Sequence, residues 1–239
     1  AILILCVLYT SVKVKEMPPK EYAEFHGIDP QTQKEKSPGM LTLLRKAPST
    51  FWTVGLVQFF CWAAFMYMWT YTNGAIADTV WGTTDVRSEG YQEAGNWVGI
   101  LFAVQAIGSM LWALLIPKFK SIKTAYVVSL LLGAVGFASV FFIHDQYILF
   151  ASFLLIGAAW AAMLAIPFTL LTNSLSGDHI GTYLGLFNGT ICLPQIVAAA
   201  CGGILLKMVG GSQVSMFLIA GILLVCGAAT VYLVKEKRA

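Results

Sequence analysis

The sequence predicts an all-α polytopic membrane protein, a bundle of six spanning helices preceded by the end of one further helix. Three observations predict it. Of 239 residues, 58% are hydrophobic and only 11% charged, against the roughly 25% charged residues of a soluble domain, so the chain cannot build a water-facing surface. Apolar runs of about 20 residues, the length that crosses the bilayer hydrocarbon as a helix, recur along the chain and are separated by its few charges. These runs are continuous and do not alternate, which excludes the strands of a membrane barrel.

The elements follow in chain order. Residues 1–12 are an apolar run too short to span alone, read as the end of a helix whose start precedes Ala1. Residues 13–50 are polar, with Pro18, Pro19, Pro30, Pro38 and Pro48 among mixed charges, and read as a central cytoplasmic loop with a short amphipathic turn at Met40 to Lys46. Residues 51–239 hold the six spans and a short tail. The spans are expected at Phe51–Thr72, Trp97–Ile116, Thr124–Ile143, Tyr147–Leu171, Gly181–Leu205 and Val214–Val234. An extended polar loop is expected from Asn73 to Asn96; the other connections are short, which makes sequence neighbours antiparallel.

Basic residues orient the bundle, because loops rich in Lys and Arg stay in the cytoplasm. Lys13, Lys15, Lys20, Lys34, Lys36, Arg45 and Lys46 fall on one side, joined by Lys118, Lys120 and Lys123 and by Lys235, Lys237 and Arg238. Only Arg87 and Lys207 fall on the other. This places the C-terminus in the cytoplasm and the bundle in a plasma, or bacterial inner, membrane. The net charge of +3 reflects that asymmetry and implies no nucleic-acid partner.

Amide and indole side chains inside a span point to a solute path, because lipid offers them no partner. Gln58, Trp62, Phe65, Trp69 and Asn73 step by four, three, four and four residues and share one helix face. Indole planes stack on the apolar faces of pyranose rings while amides both donate to and accept from hydroxyls, so this face reads as one wall of a sugar site. Alternatively, the tryptophans form an interfacial belt and Gln58 joins a neighbouring helix. Gln105, Ser109 and Trp112 form a second stripe, and Trp160 a second stacking surface one span before Asn188 and Gln195. Gly181, Gly185 and Gly189 form a row for close helix packing, Pro167 is a hinge, and Pro194 is expected to interrupt its helix just before Gln195. Substrate contacts are thus assigned to Gln58, Trp62, Gln105, Trp160, Asn188 and Gln195, with Phe65, Trp69, Asn73 and Trp112 along the path.

Catalysis is not expected. The sequence has no G-x-S-x-G, H-E-x-x-H or P-loop, and His26, His144 and His179 fall in separate loops. Cys6, Cys61, Cys192, Cys201 and Cys226 lie in apolar segments without CxxC pairs, and read as small buried hydrophobes with no metal or cofactor to hold. Asp78 and Asp85 read as solvated loop or helix-cap residues.

The segments Phe59-Phe60-Cys61-Trp62 through Tyr71-Thr72-Asn73, Trp160 to Pro167-Phe168, and Gly185-Leu186-Phe187-Asn188 followed by Leu193-Pro194-Gln195-Ile196 resemble the C-terminal half of the plant sucrose transporters and their animal and bacterial relatives, within the major facilitator superfamily. The resemblance runs from Pro18 to about Val234. It implies a twelve-helix carrier whose missing N-terminal six-helix bundle completes the path, and proton-coupled uptake of a disaccharide such as sucrose or maltose by alternating access. Two departures stand out. Asn73 occupies a place where relatives carry an acidic residue, and the basic cluster between helices eight and nine is reduced to Lys118, Lys120 and Lys123. A sodium-coupled glycoside symporter of the melibiose type, or a scaffold subunit that moves no solute, are the alternatives.

Overall fold

The computed structural model describes residues 2–14, 21, 24–25, 39–175 and 180–234. The chain divides into two compact units, Ala1–Lys46 and Ala47–Ala239. The first holds α1 (Ile2–Lys13) and α2 (Met40–Lys46). The second holds α3 (Ser49–Trp81), α4 (Glu89–Ala113), α5 (Ile122–Val140), α6 (Leu149–Ser174), α7 (Ile180–Phe187), α8 (Gly189–Met208) and α9 (Ser215–Val231), with a 3-10 turn at Ile116–Lys118. The described elements are all helical.

Five stretches are long and apolar enough to cross a membrane: α3, Glu89–Lys118, α5, α6, and α7 with α8 as one span from Ile180 to Met208. At 17 residues, α9 lies at the short end of spanning lengths, and turns continue its last residues to Val234. The chain is a multi-pass membrane protein.

The first connection is shorter than the sequence suggested. In place of a loop from Asn73 to Asn96, α3 continues to Trp81 and α4 begins at Glu89. With 33 residues α3 extends about 50 Å, well beyond a hydrocarbon core of about 30 Å. Its last two turns, Gly74 to Trp81, hold a single charge, Asp78, and stay helical with Gly74, Ala75, Ile76 and Ala77 buried. Gly82, at φ 63°, then stops the helix, and Thr83 N–H closes back on the Ala77 carbonyl at 3.1 Å. Ser88 caps α4 by accepting from Tyr91 N–H at 3.2 Å, with Glu89 in the first turn where the helix dipole favours a negative charge.

Inside the second unit α3 packs on α4, α6, α8 and α9, while α6 also packs on α4 and α5. The spanning windows of α3 and α6 are 67% and 61% buried, whereas those of α4 and of α7–α8 are each 17% buried. Helices α3 and α6 are therefore the two central helices of the bundle, each covered by several neighbours. Close crossings are made by glycine: a methyl at Gly108 would lie 2.6 Å from the Leu154 carbonyl, and one at Gly157 would strike the Gln105 carbonyl. Threonines facing outward return their hydroxyl protons to their own helix, as Thr70 does to Met66 at 2.8 Å and Thr169 to Ala165 at 3.0 Å.

Two further expectations are corrected. Helix α8 runs through Pro194 without a break, and the interruption falls six residues earlier, at Asn188, between α7 and α8. Of the five cysteines only Cys61 is buried; Cys6, Cys192 and Cys201 are exposed and Cys226 is half-buried.

Candidate functional site

The stripe on α3 converges with α6 as an aromatic cluster. The Trp160 ring lies 5.9 Å from Trp62, 5.1 Å from Phe65 and 5.7 Å from Trp69. Trp62 and Phe65 each lie 6.2 Å from Trp69. The rings sit tilted or edge-on, the arrangements their quadrupoles favour. Helical spacing explains the convergence: residues 62, 65 and 69 rise along one face of α3, and the antiparallel α6 lays Trp160 across them. Phe65 also meets Phe137 of α5 at 5.5 Å, which fixes the back of the cluster, while Trp69, 40% exposed, forms its open edge.

One polar atom in this cluster has no partner. Trp62 is 7% exposed, and its Nε1–H is buried with nothing to donate to among the described residues. Indole N–H groups normally find an acceptor when buried, because an unpaired donor loses its water for nothing. A second such atom is Asn73 Oδ1, one turn beyond Trp69 on α3 and beside Gly95 of α4.

Gln58, one turn below Trp62, is placed differently. It is fully buried, and both ends of its amide are taken by protein: Nε2 donates to the Met163 carbonyl at 3.3 Å, and Oε1 accepts from the Tyr126 hydroxyl at 3.4 Å. Gln105 lies where α4 crosses α6 at Gly157, three residues before Trp160. It is 7% exposed and makes no side-chain hydrogen bond with the described residues.

The remaining candidates lie apart from the cluster. Trp112 donates from Nε1 to Ser129 Oγ at 2.7 Å and, with Leu115, Lys118 and Phe119, borders a groove of about 310 Å³ near the end of α4. Asn188 is exposed at the α7–α8 interruption, and Gln195 is half-buried, donating to the Ile191 carbonyl of its own helix at 3.1 Å. Helix α8 meets α3 on another face, through Thr190 beside Gly55 and Gly202 beside Tyr67 and Tyr71. A methyl at Gly181, Gly185 or Gly189 would meet no atom of the described residues, while Pro167 and Pro194 are buried in α6 and α8. Asp78 is exposed on the last turns of α3, and Asp85 Oδ1 accepts from Arg87 N–H at 3.0 Å in the following turn.

Sequence reasoning missed Tyr126, Phe137 and Met163. Tyr126 had a signal, being a phenol in the middle of an apolar segment; Met163 contributes only its backbone and had none.

Residues 72–239 match the Major Facilitator Superfamily. The chain is also 29% identical over 154 residues to Magnetosome protein MamH of Paramagnetospirillum magneticum (strain ATCC 700264 / AMB-1), an alignment covering 64% of this chain and 36% of that protein. The chain thus spans about a third of that relative's length. A match over well beyond half of the residues, on a bundle of apolar spanning helices, decides the family: the chain belongs to the Major Facilitator Superfamily of membrane transporters.

Proposed function

We propose that this chain is the second half of a secondary active transporter that takes up a disaccharide of the sucrose or maltose type with protons, by alternating access against a preceding six-helix bundle. The observation that carries this reading is the buried, unpartnered N–H of Trp62 within a wall of indole rings. A pyranose supplies what that wall lacks: a ring or hydroxyl oxygen to accept the N–H, and apolar C–H faces to lie on Trp160 and Trp69. The Gln105 amide, with no hydrogen-bond partner among the described residues, is available to a hydroxyl. Asn188 and Gln195 are proposed to face the same path from the α7–α8 side.

A neutral solute suits this surface. In the described spanning stretches the carboxylates and amines lie toward the ends, at Asp78, Glu89, Glu93, Lys118, Lys123 and Lys207. Proton handling is accordingly proposed for the bundle that precedes this one. The test is uptake of labelled sucrose or maltose by the full-length protein in proteoliposomes. Trp62→Phe, which deletes one buried hydrogen bond and keeps a ring, is expected to raise the half-saturating concentration about tenfold. Unchanged saturation in that variant would remove the sugar from this wall, and uptake driven by sodium in place of a pH gradient would reassign the coupling ion.

The likeness to a magnetosome protein favours a second reading, in which the carrier works in the magnetosome membrane on another small solute. Co-purification of the tagged full-length protein with magnetosomes, together with no saturable sugar uptake, would select it.

A further inference from the structure

Pro167 lies buried inside α6. Proline has no N–H, so the carbonyl four residues earlier, that of Met163, loses its main-chain donor. In hydrocarbon such a carbonyl has no water to turn to, and a spanning helix tolerates the proline only where something else supplies the bond. Here that donor comes from another helix: Gln58 Nε2 of α3 donates to Met163 O at 3.3 Å. The other end of the same amide accepts from Tyr126 of α5 at 3.4 Å, and the Tyr126 hydroxyl lies 3.9 Å from Cys61 Sγ. Three helices are thus joined through one fully buried amide.

The join sits one turn from the aromatic cluster. Gln58 and Trp62 are four residues apart on α3, Met163 and Trp160 three apart on α6, and the two pairs run in opposite senses, as antiparallel helices require. Whatever fixes Met163 therefore also fixes where Trp160 meets Trp62.

We propose that Gln58 is a positioning residue: its amide replaces the backbone donor that Pro167 removes, and so holds α6 where Trp160 closes on Trp62. This role goes beyond the sugar reading and stands or falls without it, since the bond is made whatever solute is carried.

The experiment is a mutant cycle on the purified full-length protein, read by thermal unfolding and by the near-ultraviolet circular dichroism of the paired indoles, with Trp160→Phe marking their shared band. Gln58→Leu is expected to lower the unfolding temperature by roughly 5 °C and to weaken that band. Pro167→Ala restores a backbone N–H to the Met163 carbonyl, so in that background Gln58→Leu should lose most of its effect on both readouts. Tyr126→Phe touches only the other end of the amide and should have the same effect with or without the proline. Equal effects of Gln58→Leu in the two backgrounds would overturn the proposal. So would a Pro167→Ala chain that does not fold, or one that rescues Tyr126→Phe equally well. If Gln58→Leu alone fails to fold, recovery of folding in the double variant supports the assignment, and failure of the double variant where Pro167→Ala folds refutes it.

Discussion

A buried N–H without an acceptor costs about 1–3 kcal/mol, and Trp62 carries one with no acceptor among the described residues. Phenylalanine at this position gives up some buried apolar area and removes the unpaired donor, two effects of similar size and opposite sign. Trp62→Phe is therefore expected to unfold within about 1 kcal/mol of the native chain, a difference measurable by chemical or thermal denaturation. A large loss of stability would show that the indole N–H has a structural partner after all. The aromatic stripe itself was legible from spacing alone, because helical periodicity puts residues 62, 65 and 69 on one face whatever lies opposite. That the Gln58 amide is occupied by protein was not legible. Its acceptor is a backbone carbonyl 105 residues away, exposed by a proline whose effect on a distant helix leaves no trace in local sequence.

Among elements, the glycines separate what spacing suggests from what packing uses. The regular row Gly181, Gly185, Gly189 faces no neighbour among the described residues, whereas the isolated Gly108 and Gly157 let α4 and α6 cross with backbone against backbone. A methyl at Gly157 has to displace main-chain atoms of Gln105 and Ser109, so Gly157→Ala is expected to destabilise by about 1–3 kcal/mol. At the open Gly185 the same change meets no atom and adds helix propensity worth about 1 kcal/mol, so Gly185→Ala should leave the chain as stable or more so. Parallel melting curves of the two variants check both. Composition could not rank these positions, because which glycine meets a neighbour depends on the rotation of each helix about its axis. The end of α3 misled for a related reason: Asn73 and Asp78 flank its short apolar run, and a buried helix continues through them without a break.

At the scale of the whole molecule, hydropathy sufficed for the membrane class and the helical bundle, since both follow from how much apolar surface must be covered. The positive-inside asymmetry adds an orientation that can be checked directly. A periplasmic-reporter fusion within residues 83–87 is expected to be active and one at Lys120 inactive, with reversed activities refuting the alternation of spans. The substrate is a different matter, because it depends on a few atoms facing a shared cavity, and half of that cavity's wall is proposed to belong to residues outside this chain.

The threonines that bond their own helices carry a consequence for how this bundle meets its surroundings. With the hydroxyl protons of Thr70 and Thr169 turned inward, and with Gly181, Gly185 and Gly189 open among the described residues, these faces offer neighbours almost no chemical signal. Lipids and helices settling there are sorted by contour, by which knob fills which hollow. A surface of that kind is recognised by its shape and not by its polarity.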